Sequence, residues 1–492
     1  MKLHEVYGTS LSLVTDLYQL TMAYGFWKDG TADRESVFHL FFRKNPFKGG
    51  YTVAAGLQTA IEYLDSFSFA TDDIDYLATL TGNDGQPLFE QEFLDYLGNM
   101  KLSIDIDAAP EGTVVFPHQP ILRARGPLIQ AQLLETALLN IINFQTLIAT
   151  KSSRICRAAV GQDVLEFGLR RAQGIDGGLS ASRAAYIGGA AATSNVLAGK
   201  VFGIPVKGTH AHSWVMSFED EQASFEAYAA AMPNNCVFLV DTYDTVEGVK
   251  KAIAVGKRLR EQGHSMVGIR LDSGDLAFLS IEARKLLDEA GFPDAVIVAS
   301  NDLDEHLIES LRHQGAQIAV WGVGTKLATA ADQPALGGVY KLGALKDKDG
   351  NWLPKVKLSE QLIKVSTPGI LQVRRYFDDK VARADMVYNE LQELPKVCTI
   401  VDPHDPSRRR EHGPEFRFED LLKPVFRAGD LVMASPSLDA IRDRTKLQLE
   451  GFHNSILRLN NPHGYPVGLE RQLHELKTEI VYRLRGGEVA NE

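Results

Sequence analysis

The chain has 492 residues, 45% of them hydrophobic and 23% charged, with a formal net charge of −11. That length allows two or three domains with a large core, and the acidic balance argues against a nucleic-acid groove while leaving room for a local pocket that takes a phosphorylated small molecule. Cys156, Cys236 and Cys398 are too few and too scattered for a disulfide framework or a zinc knuckle, which points to a reducing compartment.

His4, Glu5 and Asp16 precede any long apolar run, so no signal peptide is expected and the protein is read as cytoplasmic. Residues 9–30 open with hydroxyls and Asp16. Leu17, Leu20, Ala23 and Tyr24 then recur at helical spacing until Gly30, which predicts an early helix carrying Tyr18. Residues 36–42 (SVFHLFF) read as a strand closed by the basic turn 43–51, and residues 54–112 as two helical stretches followed by an acidic link. Pro117, Pro120 and Pro127 punctuate short strands over 113–130. LLETALLNIINFQTLIATK has a period near 3.6 and predicts a buried helix ending near Lys151, Ser152 and Arg154. Its Glu135, Asn140, Asn143 and Gln145 argue against a membrane span.

The centre of the chain is regular. Apolar runs end at Phe167, Lys207, Asp241, Leu271, Ser300 and Trp321, each followed by a helical pattern. Runs such as VFLVD, MVGIRL and AVIVAS are continuous rather than alternating, as strands of a parallel sheet covered on both faces are. Polar residues follow each run: Gly168 and Arg170; Thr209, His210 and His212; Asp241 and Asp244; Arg270, Asp272 and Asp275; Asn301 and Asp302; Gly322, Gly324 and Thr325. Catalytic groups of a β/α barrel come from the carboxyl ends of several strands in this way. A doubly wound open sheet has the same periodicity and is the competing architecture. Beyond Tyr340 the pattern weakens: LQVRRYFD reads as a strand, residues 404–416 as an arginine-rich linker, and the remainder as helical patches between loops.

Several strand ends suggest chemistry. GVGT (322–325) and LGGVY (336–340) allow close backbone approach to phosphate oxygens, and each is equally a turn with a helix cap. Arg270 and Asp272 suit anion binding and stabilisation of developing positive charge, whereas Asp275 suits a helix N-terminus. Phe167 followed by Arg170 fits a flat anionic substrate, or a core ring with a surface cation. His210 and His212 lack a third ligand, so an acid/base or nucleophilic histidine is favoured over a zinc pair, and no metal site is expected.

Taken together, TDLYQLTMAYG, FFRKNPFKGGY, LLETALLNIINFQT, EFGLRRAQG, GTHAHSWVMSF, GIRLDSGD and GVGTKLATAADQPALGGVYKL, in this order over about residues 15–345, resemble the nicotinate phosphoribosyltransferases. The resemblance implies an α/β fold, the incomplete β/α barrel of the type II phosphoribosyltransferases. It would comprise an N-terminal α/β domain (1–132), the barrel (133–345) and a C-terminal extension (346–492) packing partly on the N-terminal domain.

The resemblance also implies the reaction. Nicotinate displaces diphosphate from 5-phosphoribosyl 1-diphosphate to give nicotinate mononucleotide in NAD salvage, coupled to ATP hydrolysis, in a homodimer whose sites lie at the subunit interface. Mg²⁺ would accompany the phosphorylated substrates, with no tightly bound protein-ligated metal. Neither nucleic acid nor membrane would be a partner. On this basis Phe167 and a partner subunit's Tyr18 sandwich the pyridine ring, and Arg270, Thr209 and Arg170 hold the carboxylate or nearby phosphates. Gly324, Thr325, Gly337, Gly338 and Asn301 take phosphoribosyl diphosphate. Asp272 lies near the ribose, His212 is the histidine that ATP phosphorylates, and His210 has no role. A nicotinamide-specific relative would carry an aspartate in place of Ser194, a quinolinate enzyme would need a second carboxylate clamp, and a non-catalytic phosphosugar-binding protein would bind without turnover.

Overall fold

A computed structural model describes residues 7–361 and 364–486; His4 and Glu5 lie outside them. The chain divides into two compact units, residues 148–334 and residues 1–147 with 335–492. Both exchange points fall inside the 133–345 segment that sequence reading assigns to the barrel. Among the described residues no helix is long and apolar enough to cross a membrane.

In the 148–334 unit five of the six apolar runs form strands of a six-stranded parallel sheet: β1 (Asp163–Glu166), β2 (Ala192–Thr193), β3 (Val237–Leu239), β4 (Gly268–Leu271), β5 (Val296–Ala299) and β6 (Val320–Val323), of which β2 comes from outside those runs. Their order is β2-β1-β6-β5-β4-β3. Every strand therefore neighbours its sequence successor, and β6 neighbours β1, except that β2 and β3 are not joined. That is the cyclic order of a barrel with one seam open, whereas a doubly wound sheet reverses direction at an internal switch point. The seam explains why the run ending at Lys207 is not a full strand. Only Val206 makes a parallel bridge, to Thr193 on β2. The missed strand, β2, is two residues long and has no apolar run to announce it.

Register brings the strand ends level. Glu166 pairs with Val323, Ala299 with Leu271, and Leu239 with Arg270, so the residues after each strand emerge at one rim. Helices are started there by acidic caps: Asp244, Asp275 and Asp304 each accept backbone N–H groups of the following helix at 2.8–3.1 Å, worth about 1 kcal/mol apiece. Asp244 and Asp275 are thus helix starters.

The helix expected to end near Lys151 runs on over Glu135–Ala159. Lys151 and Arg154 are fully buried, which looks wrong for a helix interior until their partners are seen. Lys151 Nζ lies 2.6 Å from both Glu305 and Asp332, and Arg154 Nε 2.8 Å from Glu305. Neutralisation across 150 or more residues of sequence lets the helix continue through a dry core.

The described residues of the other unit form three sheets, one of them only the two-stranded pair Thr52–Val53 and Val114–Val115. The largest is antiparallel and centres on Glu35–Phe41, flanked by Val339–Lys346 and Leu122–Pro127. It continues through Asp105–Ala108 to Lys423–Arg427. Three helices rather than two occupy 54–112: Leu57–Asp65, Thr71–Ala78 and Gln91–Gly98. Helix Leu17–Lys28 forms as its periodicity predicts, burying Leu20 and Ala23 against Phe93, Leu97 and Ile129. Asp16 makes no side-chain cap and instead accepts from the Thr136 hydroxyl at 3.1 Å.

The C-terminal region departs most from expectation. It builds a six-stranded sheet, and within the predicted linker Arg409–His412 pairs with Cys398–Val401 as a hairpin. Long-range pairing such as Val467–Glu470 beside Val381–Asn389 leaves no local signature. Cross-strand partners Arg375 and Asp385 make a fully buried bidentate ion pair at 2.6–2.8 Å, completed by Tyr465 and Gln119.

Candidate active site

The rim of the parallel sheet gathers Arg270, Asp272, Thr209, His212, Asp241 and Ser300. Arg270 is the last-but-one residue of β4, and register with β5 puts Ser300 beside it. Its guanidinium donates to Ser300 Oγ (2.9 Å), Thr209 Oγ1 (2.9 Å) and Asp272 Oδ1 (3.1 Å). The Ser300 hydroxyl also donates to Asp272 Oδ1. Burial works to raise the Asp272 pKa, but the Ser300 hydrogen bond and the Arg270 charge outweigh it and hold the carboxyl below the usual carboxylate range. Asp272 Oδ2 faces His212 Nε2 at 3.5 Å, and His212 Nδ1 lies 3.1 Å from Thr242 Oγ1.

The loop carrying Asp272 is itself held from below. Asp241 Oδ2 accepts from the Asp272 backbone N–H (2.7 Å) and the Ser273 hydroxyl (2.8 Å). Its other oxygen, buried, has no partner among the described residues. After β5, Asn301 and Asp302 take positive φ (94° and 43°), a strained pair at the same rim.

Phe167 is fixed differently. Its N–H donates to Val323 O at 2.8 Å, and its ring lies over Gly322, where a Cβ would come within 2.8 Å of two ring carbons. Gly168 and Gly324 also pass too closely for side chains: a Cβ on Gly168 would meet the Gly324 carbonyl at 2.9 Å. Buried Glu166 organises this turn, accepting from the Gly168 N–H and from the Ser182 (2.9 Å) and Thr193 (2.6 Å) hydroxyls. The ring is half-buried and Arg170 is exposed on the 3₁₀ turn Leu169–Arg171. Thr325 opens the short helix Thr325–Ala328 beside Gly324.

Tyr18, Gly337 and Gly338 belong to the other unit. Tyr18 is 49% exposed on its helix, the largest aromatic surface that helix offers. Gly337 has φ +74°, and Gly338 lies so close to Asn143 that any Cβ would collide with its amide oxygen.

His210 is turned away from this chemistry. Its Nε2 accepts the Leu239 N–H at 3.2 Å, its ring packs on Tyr228, and burial pushes its pKa down to about 4. Sequence reading missed Ser300, Thr242 and Glu166 as parts of the site. The signal for Ser300 is a hydroxyl closing an apolar run; Thr242 and Glu166 offer none. Among the described residues no group of three or more His, Cys, Asp or Glu is set to hold a metal ion.

Comparison with known proteins gives this rim a family. Residues 13–143 match the nicotinate phosphoribosyltransferase N-terminal domain, 163–364 the nicotinate phosphoribosyltransferase family and 371–477 the C-terminal domain. The chain is 44% identical to the nicotinate phosphoribosyltransferase of Bacillus subtilis (strain 168), covering 96% of this chain and 97% of that one. It is 39% identical to that of Dictyostelium discoideum, over 96% and 89%. The crystal structure of human nicotinic acid phosphoribosyltransferase superposes with a TM-score of 0.83 at 33% identity, over 95% of this chain and 100% of the human one. On sequence and on fold alike, the chain belongs to the nicotinate phosphoribosyltransferase family.

Proposed function

We propose that the chain catalyses transfer of the 5-phosphoribosyl group from its 1-diphosphate to the ring nitrogen of nicotinate, with ATP hydrolysis in the same cycle. The Arg270–Asp272–Ser300–Thr209 network beside His212 is the observation that carries this reading. Breaking the C1–O bond to diphosphate before the C1–N bond forms leaves positive charge on the ribose. A carboxylate kept ionised by Ser300 and Arg270 is suited to stabilise that charge. The same guanidinium, with Thr209 and Arg170, supplies donors for the nicotinate carboxylate or nearby phosphates. Phe167 offers its face to the pyridine ring, completed by Tyr18 of the partner subunit in a homodimer. Gly324, Thr325 and Asn301, with Gly337 and Gly338, serve the phosphoribosyl diphosphate.

His212 is the phosphoryl acceptor in this proposal. A carboxylate only accepts hydrogen bonds, so Asp272 near Nε2 favours the tautomer with its proton there. The lone pair is then on Nδ1, toward Thr242. The γ-phosphoryl group passes to that nitrogen as its bond to ADP breaks, and water later releases phosphate. Mg²⁺ arriving with the phosphorylated substrates would supply charge neutralisation for the diphosphate. Asp241, whose second oxygen has no partner among the described residues, would help hold such an ion. The free thiols of Cys236 and Cys398 support a cytoplasmic setting.

Ser194 favours nicotinate over nicotinamide. It follows β2, its N–H donating to Glu166 O at 2.9 Å, and brings no carboxylate to attract an amide or repel an acid. The test is product formation from purified protein with Mg²⁺, phosphoribosyl diphosphate, ATP and either nicotinate or nicotinamide. Binding without any nicotinate mononucleotide formed would overturn the reading; equal turnover of nicotinamide would overturn the Ser194 argument.

A further inference from the structure

The 1–147/335–492 unit holds a cavity of about 300 Å³ with an unusual electrostatic lining. Val365, Pro403, Leu469 and Val481 form apolar walls. The polar groups around them are Lys477, His118, His404, His474, Arg485 and the hydroxyls of Thr367, Thr478 and Tyr482. No Asp or Glu lines it, in a chain with 63 acidic residues against 52 basic ones. It adjoins a larger cavity, about 870 Å³, through the shared wall of His118 and His404. There Arg409 and Arg410 are added, with Asp402 the one lining carboxylate.

The cations and imidazoles of the lining have few partners of their own: Arg485 donates to Ser359 O at 3.4 Å. Lys477 Nζ makes two long contacts, to Thr367 Oγ1 (3.2 Å) and Val365 O (3.5 Å), and no ion pair among the described residues. The rings of His118 and His404 meet edge to face at 5.3 Å, and neither ring nitrogen pair nor that of His474 is hydrogen-bonded to the described protein. The ionisable groups acting on His118, namely His404, Lys477 and Arg43, are all bases. Burial pushes Lys477 down to about 8. His118 also holds φ +65°, a backbone strain that persists only where its surroundings enforce it.

Unpaired cations and free imidazoles converging on a partly apolar, ligand-sized cavity describe a site whose counter-charge comes from outside the chain. We propose that this cavity binds a phosphorylated small molecule, its dianionic phosphate held by Lys477, His118, His404 and His474 and its body lying on the apolar wall. A phosphate suits this lining better than a carboxylate, because the Lys477 ammonium, the Arg485 guanidinium and the ring nitrogens of three imidazoles offer more donors than the two oxygens of one carboxylate can take.

Pyridoxal 5′-phosphate reports on the site in the unaltered protein. Its aldehyde condenses with a lysine amine, losing water, and borohydride reduces the imine to a stable secondary amine that peptide mass spectrometry locates. Lys477 should be labelled at least tenfold faster by pyridoxal 5′-phosphate than by pyridoxal, and inorganic phosphate should protect it. Labelling no faster than at exposed lysines, or without protection, overturns the proposal. Calorimetry with an Arg270→Ala background, which weakens the rim site, then compares inorganic phosphate, ribose 5-phosphate and benzoate. Lys477→Met and His474→Phe should each weaken phosphate binding at least tenfold. Tighter ribose 5-phosphate identifies an ester as the ligand, equal affinities identify free phosphate, and benzoate binding tighter than both overturns the phosphate assignment.

Discussion

Gly322→Ala separates a substrate-binding Phe167 from a merely packed one. The new Cβ would sit 2.8 Å from two carbons of the Phe167 ring. Carbon–carbon contacts settle at about 3.5–4.0 Å, so the ring must retreat by roughly 1 Å. The Phe167 backbone is tied to Val323 and does not follow easily; the half-buried ring swings toward solvent instead. Overpacking costs about 1–3 kcal/mol in a closed core, and a ring with an open side keeps the cost near the lower bound. A 1 Å error in a substrate-positioning group costs on the order of 100-fold in rate. Initial rates with nicotinate varied at saturating phosphoribosyl diphosphate and ATP should therefore show kcat/KM for nicotinate reduced by about 10- to 100-fold. KM for phosphoribosyl diphosphate should change by no more than about twofold. Unchanged nicotinate kinetics in a variant that has lost stability would refute the argument, leaving Phe167 as a core residue.

Three further expectations concern other parts of the molecule. His212→Ala should abolish stimulation by ATP while slow ATP-independent synthesis continues; coupling that survives in this variant removes His212 as the phosphoryl acceptor. Arg375→Met strands the fully buried Asp385 carboxylate and should cost about 3–5 kcal/mol in urea unfolding, with Arg375→Met/Asp385→Leu recovering much of it. Acid should weaken the fold early. His39 and His210 accept the Leu371 and Leu239 N–H groups as neutral rings, and burial lowers their pKa values to about 3 and 4. The unfolded chain takes up these protons near pH 6.5 and the folded chain only well below, so stability is full above pH 6.5 and falls as pH drops toward 4. Unfolding midpoints that stay level between pH 7.5 and 5 would contradict this.

The rim of the parallel sheet was legible because strands buried on both faces write continuous apolar runs, and the residues closing those runs, Arg270, Asp272, Thr209 and Phe167, come to one edge once the strands are in register. The acidic helix starters were half legible: Asp275 reads as a cap, while Asp244 is indistinguishable from a working carboxylate until its contact with the Glu247 N–H is seen. His210 and His212 differ by two positions and look alike in sequence; facing decides that one accepts a backbone N–H from β3 and the other meets Asp272.

What the sequence by itself determined is the repeated strand–helix rhythm, the cluster of polar residues at strand ends, and the family. Tertiary structure alone decided matters that depend on partners distant in the chain. Among them are the open seam between β2 and β3, the burial of Lys151 and Arg154 opposite Glu305, and the pairing of C-terminal strands into a sheet. The state of Asp272 belongs there too, because its charge is set by Ser300, 28 residues away. Periodicity records what a residue's immediate neighbours need, whereas hydrogen bonds and ion pairs between elements are chosen only when the chain closes on itself.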